Sequence, residues 1–271
     1  YTHNNVGGGT MLHVRTNSYN RNNTIRYNLS VNDTHHYAPH QAIIVCVGED
    51  ANTKIEAAKV YNNTFFNTRT VRPVYKGDEI AFQNNIFYMV NKGMKNKTGA
   101  YDVGPNTTFN KNLFAGVHPK DEPAGNGNLT AAMPGLSGVL VNKDGDQYLP
   151  KEMEEAIAAA RLAHNSEALN AGVAIEDGAA VDLYGNPVIA GEAPNIGAYN
   201  GESVEKTEYE DFTDITEAPG EPSDIENYTI EFVEGEDERV SKSAAFKTNP
   251  SGAHGGFHIS SDEDGAAAEY T

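Results

Sequence analysis

The residues able to do chemistry gather in the first 80 positions of the 271-residue chain. His3, His13 and Arg15 come first, Asp33, His35, His36 and His40 follow, and Arg69, Arg72 and Lys76 complete the set. Imidazoles beside guanidinium and ammonium groups suit eliminative cleavage of a uronate polymer. That reaction needs the sugar carboxylate neutralised, by Arg, Lys or a bound Ca²⁺, and a base for the proton beside it. His13 and His36 are the candidate bases and Arg72 the candidate neutralising group. Asp33 is the candidate Ca²⁺ ligand, or the group that orients a histidine. His3, Arg15, His35, Arg69 and Lys76 are candidate substrate contacts. Hydrolysis would need two carboxylates flanking one bond, and this set shows only Asp33. A glycoside hydrolase is the alternative. A non-catalytic polysaccharide-binding surface protein is a further one, expected to scatter these residues over different faces.

Blander readings compete with several of these residues. His35, His36 and His40 have the density of a metal site, but Pro39 opposes a helix that would pair His36 with His40. Cys46, the only cysteine, excludes a disulfide framework and a Cys-based zinc site, and reads as a small wall residue of the core. The Asn142-Lys143-Asp144-Gly145-Asp146-Gln147 stretch hints at a calcium loop, yet Gln147 stands where such a loop needs glycine, so it reads as a turn. Tryptophan is absent, which argues against a Trp platform for stacking sugars.

The elements that must position these groups announce themselves through asparagine, which supplies 19 of the first 120 residues. Four segments align on a shared Asn: Ile25-Arg26-Tyr27-Asn28-Leu29, Val60-Tyr61-Asn62-Asn63-Thr64, Phe82-Gln83-Asn84-Asn85-Ile86 and Phe109-Asn110-Lys111-Asn112-Leu113. Thr2-His3-Asn4-Asn5-Val6 is a weaker fifth. The aligned Asn5, Asn28, Asn63, Asn85 and Asn112 lie 23, 35, 22 and 27 residues apart, a period near one coil of a parallel β-solenoid with insertions. Asn tolerates the left-handed conformation a tight bend needs, and its amide can bond the next Asn in a ladder. Short strands are expected after each bend, at residues 29–31, 64–66 and 86–89. A continuous apolar run at 41–47 suits a buried parallel strand. The loops at 7–10, 32–40 and 67–73 then feed strands at 11–15, 41–47 and 74–76. With Leu12 and Val14 inward, His13 and Arg15 face outward from a sheet whose coils lie about 4.8 Å apart.

Beyond residue 120 the rhythm changes. A Gly/Asn/Pro-rich loop at 121–128 precedes an expected helix at 150–162 with acidic residues in its first turn. Turn signals fill residues 163–201, an acidic linker is expected at 202–227, and alternation returns at 228–271 as the start of a truncated β-sandwich. The net charge of −18 is uneven: +6 over residues 1–120, −9 over 121–200 and −15 over 201–271. So acidic a chain is a poor partner for nucleic acid. No run of about 18 apolar residues occurs, so no membrane-spanning helix is expected. The chain opens at Tyr1 without a leader, so a secretion signal is expected upstream.

The stretch Tyr1-Thr2-His3-Asn4-Asn5-Val6-Gly7-Gly8-Gly9, followed by Ile25-Arg26-Tyr27-Asn28-Leu29-Ser30-Val31-Asn32-Asp33, resembles secreted right-handed parallel β-helix proteins of the pectate lyase-like superfamily. Thr2 and Asn4 stand where that family often has Ser and Asp. Asn62-Asn63-Thr64-Phe65 and Asn84-Asn85-Ile86-Phe87 resemble its later coils. Leu162-Ala163-His164-Asn165-Ser166-Glu167-Ala168-Leu169-Asn170-Ala171-Gly172, Asp182-Leu183-Tyr184-Gly185-Asn186-Pro187 and Pro194-Asn195-Ile196-Gly197-Ala198-Tyr199 resemble its closing segment. The resemblance covers residues 1–201. It implies an all-β, right-handed parallel β-helix with an Asn ladder, a cleft along one parallel sheet, an extracellular location and a polysaccharide substrate, with a monomer expected. Residues 228–271 more faintly resemble the opening strands of a galactose-binding-like carbohydrate-binding module. Fold alone does not fix activity, because the superfamily includes lyases, hydrolases and proteins without known chemistry.

Overall fold

A computed structural model of the chain describes residues 1–3, 10–13, 19–33, 43–46, 53–68, 74–75, 77–92, 101–118, 121–144, 147–208 and 212. The chain divides into two units, Tyr1–Glu221 and Pro222–Thr271. Residues 213–271, with most of the expected linker and all of the expected sandwich strands, lie outside the described residues.

Successive coils lay down the same strands in the same order. The first coil holds β1 (Thr2–His3), β2 (Thr10–His13), β3 (Tyr19–Arg21) and β4 (Thr24–Arg26). The second repeats them as β5 (Leu29–Val31), β6 (Ile43–Cys46), β7 (Lys54–Glu56) and β8 (Lys59–Tyr61). β9 (Thr64–Asn67), β10 (Val74–Tyr75) and β11 (Ala81–Gln83) form the third, and β12 (Ile86–Met89), β13 (Asp102–Val103) and β14 (Thr108–Asn110) the fourth. β15 (Leu113–Gly116) and β16 (Leu129–Ala131) continue the stack. Equivalent strands pair in parallel into a six-stranded sheet, β1-β5-β9-β12-β15-β16, and two four-stranded sheets, β2-β6-β10-β13 and β4-β8-β11-β14. The fold is a parallel β-helix.

At the corner between the β4-type and β5-type strands runs a ladder of Asn side chains. Oδ1 of Asn63 accepts from the backbone N–H of Asn28 at 2.9 Å and from its Nδ2 at 2.9 Å. Asn85 receives Asn63 in the same way, Asn112 receives Asn85, and Asn128 receives Asn112. The expected rungs at 28, 63, 85 and 112 are present, Asn5 lies outside the described residues, and Asn128 is an additional rung. One detail differs from expectation. The left-handed conformation belongs to the residue before each rung, at Tyr27, Asn62, Asn84, Lys111 and Gly127, with φ between +52° and +63°. The ladder Asn itself is therefore selected for its amide rather than for its backbone.

The solenoid interior is aromatic. Phe65, Phe87 and Phe114 stack along the axis at 5.5 and 5.3 Å, and Phe82 lies on Phe109 at 4.8 Å. Each buried ring contributes about 1.5–3 kcal/mol through area and roughly 0.5–1.5 kcal/mol more through stacking. A second core lies on the other face of the six-stranded sheet. There Leu29, Val31, Phe66, Ile86, Tyr88 and Leu113 pack against residues of the segment 136–212, among them Leu136, Ala156, Ile196 and Tyr199. The six-stranded sheet is thus buried on both faces, which is why Thr64–Asn67 and Ile86–Met89 have no exposed position.

The covering segment begins with an antiparallel pair, β17 (Val141–Asp144) and β18 (Gln147–Pro150), which hold the described residues of the calcium-loop-like stretch. The helix α1 (Met153–Ala159) is shorter than the expected 150–162. Pro150 is held in β18 opposite Val141, while Leu162 bridges to Leu136 and Ala163 to Val204, so backbone pairing claims both ends. The rest of the segment is irregular and docks through backbone and amide bonds. Gly197 N–H donates to Asn84 O at 2.7 Å, and Asn84 exchanges bonds with the backbone of Val173.

Candidate functional site

The sheet expected to carry the cleft is β2-β6-β10-β13. Its register places Leu12, Val45 and Tyr75 in one column, with His13 opposite Cys46. Leu12 packs against the inner core and Tyr75 is fully buried. The segments that carry the candidate side chains join the six-stranded sheet to this one: 4–9 leads into β2, 32–42 into β6 and 68–73 into β10. His35, His36 and His40 belong to the second segment, Arg69 and Arg72 to the third, and Lys76 follows β10 directly. Three successive coils therefore bring the attachment points of these loops together. The positions of Arg15, His35, His36, His40, Arg69, Arg72 and Lys76, and the side chain of His13, lie outside the described residues.

Two candidates are described in full. His3 is exposed on β1, in the six-stranded sheet beside Val31, with its ring on Tyr1 at 5.1 Å. Asp33, two residues past β5, is fully buried. Its Oδ2 accepts from the hydroxyl of Thr2 at 2.7 Å and from that of Ser30. The carboxylate thus ties the first two coils together at the start of the 34–42 loop. Beside it, burial and the Asp33 charge raise the Tyr1 phenol above its ordinary range, and the Tyr1 hydroxyl donates to Lys151 O at 2.8 Å. Among the described residues, no group of three or more His, Cys, Asp and Glu side chains converges as a metal site.

Two polar clusters escaped the sequence reading. The His118 imidazole is buried, bonded through Nε2 to Ala115 O and through Nδ1 to the Tyr101 hydroxyl at 3.2 Å. Burial lowers its pKa to about 4, so it is neutral, with its proton on Nε2 and Tyr101 donating to Nδ1. Its signal in the sequence was slight, a lone His at the end of an apolar strand. His164 accepts or donates at Nδ1 to Ser203 Oγ at 2.6 Å, and Nε2 faces Glu205 at 3.1 Å. This hydroxyl–imidazole–carboxylate chain is open to solvent, with His164 57% and Glu205 88% exposed, and lacks the enclosure that gives such a chain catalytic force. Nothing in residue spacing joins 164 to 203; the bridge between Ala163 and Val204 does.

Among known proteins, no protein-family model and no curated protein matches this chain. Fold and geometry define it as a parallel β-helix protein with a buried Asn ladder and one doubly covered sheet.

Proposed function

We propose that this protein is an extracellular polysaccharide lyase of the pectate lyase-like kind, cleaving an acidic polysaccharide by β-elimination along the β2-β6-β10 sheet. The observation that carries the reading is the stacking of β2, β6 and β10, which joins the loops bearing imidazole and cationic groups to neighbouring strands. In this reading His13 or His36 takes the proton from the carbon beside the uronate carboxylate. Arg72 stabilises the charge that develops on that carboxylate. The electron pair forms the new double bond as the glycosidic oxygen departs, leaving an unsaturated sugar end. Arg15, His35, Arg69 and Lys76 contact neighbouring sugars, with His3 at the margin.

Ca²⁺ serves elimination chemistry by neutralising the same carboxylate. Asp33 fits that ion poorly, since it is buried and its Oδ2 already accepts two hydroxyl bonds. We therefore give Asp33 the role of fixing the loop that carries His35 and His36. A monomer suffices for this reading, because the apolar outer face of the six-stranded sheet is covered by the chain's own residues 136–212.

The test is steady-state elimination on polygalacturonate and alginate by the wild-type chain and by His13→Ala, His36→Ala and Arg72→Ala. Loss of the base should lower kcat by about 10²–10⁴-fold and loss of Arg72 by about 10²–10³-fold, with unchanged thermal midpoints. Wild-type rates in all three variants would remove the site.

A further inference from the structure

The outer face of the β4-β8-β11-β14 sheet changes character along the axis. Ile25, Val60, Phe82 and Phe109 face inward in one column. The next column outward reads Arg26, Tyr61, Gln83 and Asn110, and a parallel bridge extends it to Asn126. In the first two coils this column is closed on itself, because Arg26 Nη1 donates to the Tyr61 hydroxyl at 3.1 Å. In the following three coils it opens into a groove of about 440 Å³, lined by Ala81, Gln83, Thr108, Asn110, Gly125 and Asn126 among others. No ionisable side chain lines it.

Gln83, Asn110 and Asn126 stand in contrast to the ladder one corner away. Every ladder amide is spent on its neighbours, whereas these three make no side-chain hydrogen bond among the described residues and are half-buried or exposed. Their backbones are locked: Asn110 pairs with Gln83, while Asn126 donates to Phe109 O at 3.0 Å and accepts from the Lys111 N–H at 3.0 Å. Gly125 lets its chain lie close against the preceding coil, since a Cβ there would stand 1.9 Å from Phe109 O. The result is a row of amides carried on fixed backbones about 4.7–4.9 Å apart, beside a small-residue floor and a threonine hydroxyl.

We propose that this groove is a binding site for a neutral polysaccharide chain, lying parallel to the solenoid axis with successive sugar hydroxyls bonded to Gln83, Asn110 and Asn126. An amide both donates and accepts, as a sugar hydroxyl does, and the paired backbones set the spacing of the row. The absence of charge in the lining sets the ligand class: an anionic sugar would lose hydration there with no cation in the groove to replace it. The row repeats at about the length of one pyranose unit, so affinity should grow with chain length up to three sugars. The site is separate from the proposed cleft, on a different sheet, and stands whether or not elimination occurs there.

Calorimetric titration of the full chain with neutral linear gluco-, xylo- and manno-oligosaccharides, and with oligogalacturonate, tests the assignment. At least one neutral series should bind, and Gln83→Leu/Asn110→Leu should weaken it about tenfold or more at an unchanged thermal midpoint. Ala81→Arg, which fills the floor from an outward position, should also abolish it while oligogalacturonate binding persists. The proposal is overturned if no neutral series binds the wild-type chain, if the double variant binds as wild type does, or if the double variant loses oligogalacturonate alone.

Discussion

Asn85 shows how much one side chain carries in this fold. It is fully buried, accepts from Asn63 twice, donates to Val60 O at 2.8 Å and to Asn112 Oδ1 at 2.9 Å. Asn85→Ala removes the partner of the Asn63 N–H and of the Val60 carbonyl in the interior, while the Asn63 amide keeps Ile25 O and Tyr61 O, and should cost about 2–5 kcal/mol in urea unfolding. Asn128→Ala, at the partly exposed end of the ladder, should cost only about 1 kcal/mol. His118 gives a pH prediction. Its folded pKa is about 4, below the ordinary 6.5, so between those values the unfolded chain binds the extra proton. Stability from this residue is complete above about pH 6.5 and declines as pH falls toward 4, by up to roughly 3 kcal/mol. His118→Gln should flatten that part of the pH–stability curve, and an unchanged slope would show that His118 is not its source. At this scale the asparagines were legible because buried amides repeat with the coil. The left-handed residue before each rung was not, because Tyr27 and Lys111 carry no compositional mark of a positive φ.

At the level of elements, coil strands could be read from sequence, while of their cover only the helix and a resemblance to a closing segment could. Strands 29–31 and 86–89 were expected with the bounds they have, since each follows an Asn bend with a short apolar run. The segment 136–212 has almost no periodicity to read. It lies on the six-stranded sheet through Ile196, Tyr199 and Phe212, and through backbone bonds whose partners are more than 80 residues away, such as Gly197 N–H to Asn84 O. Gly197 is the sensitive point of that contact. It has φ +97°, and a Cβ would stand 2.6 Å from Ile86 Cδ1 and 2.9 Å from Thr64 Oγ1. Gly197→Ala should destabilise the fold by about 2–4 kcal/mol, combining left-handed strain with overpacking. Gly185→Ala is the matched control. Its φ is +80° with nothing within 4 Å, so only the strain of about 1–2 kcal/mol should appear in thermal unfolding.

Across the described molecule, each coil touches its neighbours through three parallel sheets, so the solenoid is a scaffold on which loops of any length can be mounted side by side. That explains why fold and site differ in legibility. Fold follows from a repeat, which leaves its period in the sequence, whereas a site follows from loops inserted between repeats, which leave only residue types. Asp33 illustrates the limit: its type suggested a Ca²⁺ ligand or a group orienting a histidine, and its hydroxyl partners Thr2 and Ser30, which tie two coils together, could not be read from type.

The most direct test of the account is to incubate the chain with uronate polymers and follow unsaturated sugar ends by ultraviolet absorbance together with new reducing ends. Elimination predicts that both signals rise together in equal molar yield, and that neither rises on neutral polymers. Reducing ends without absorbance would mean hydrolysis, and neither signal on any uronate polymer would mean no cleavage; each would contradict the lyase reading.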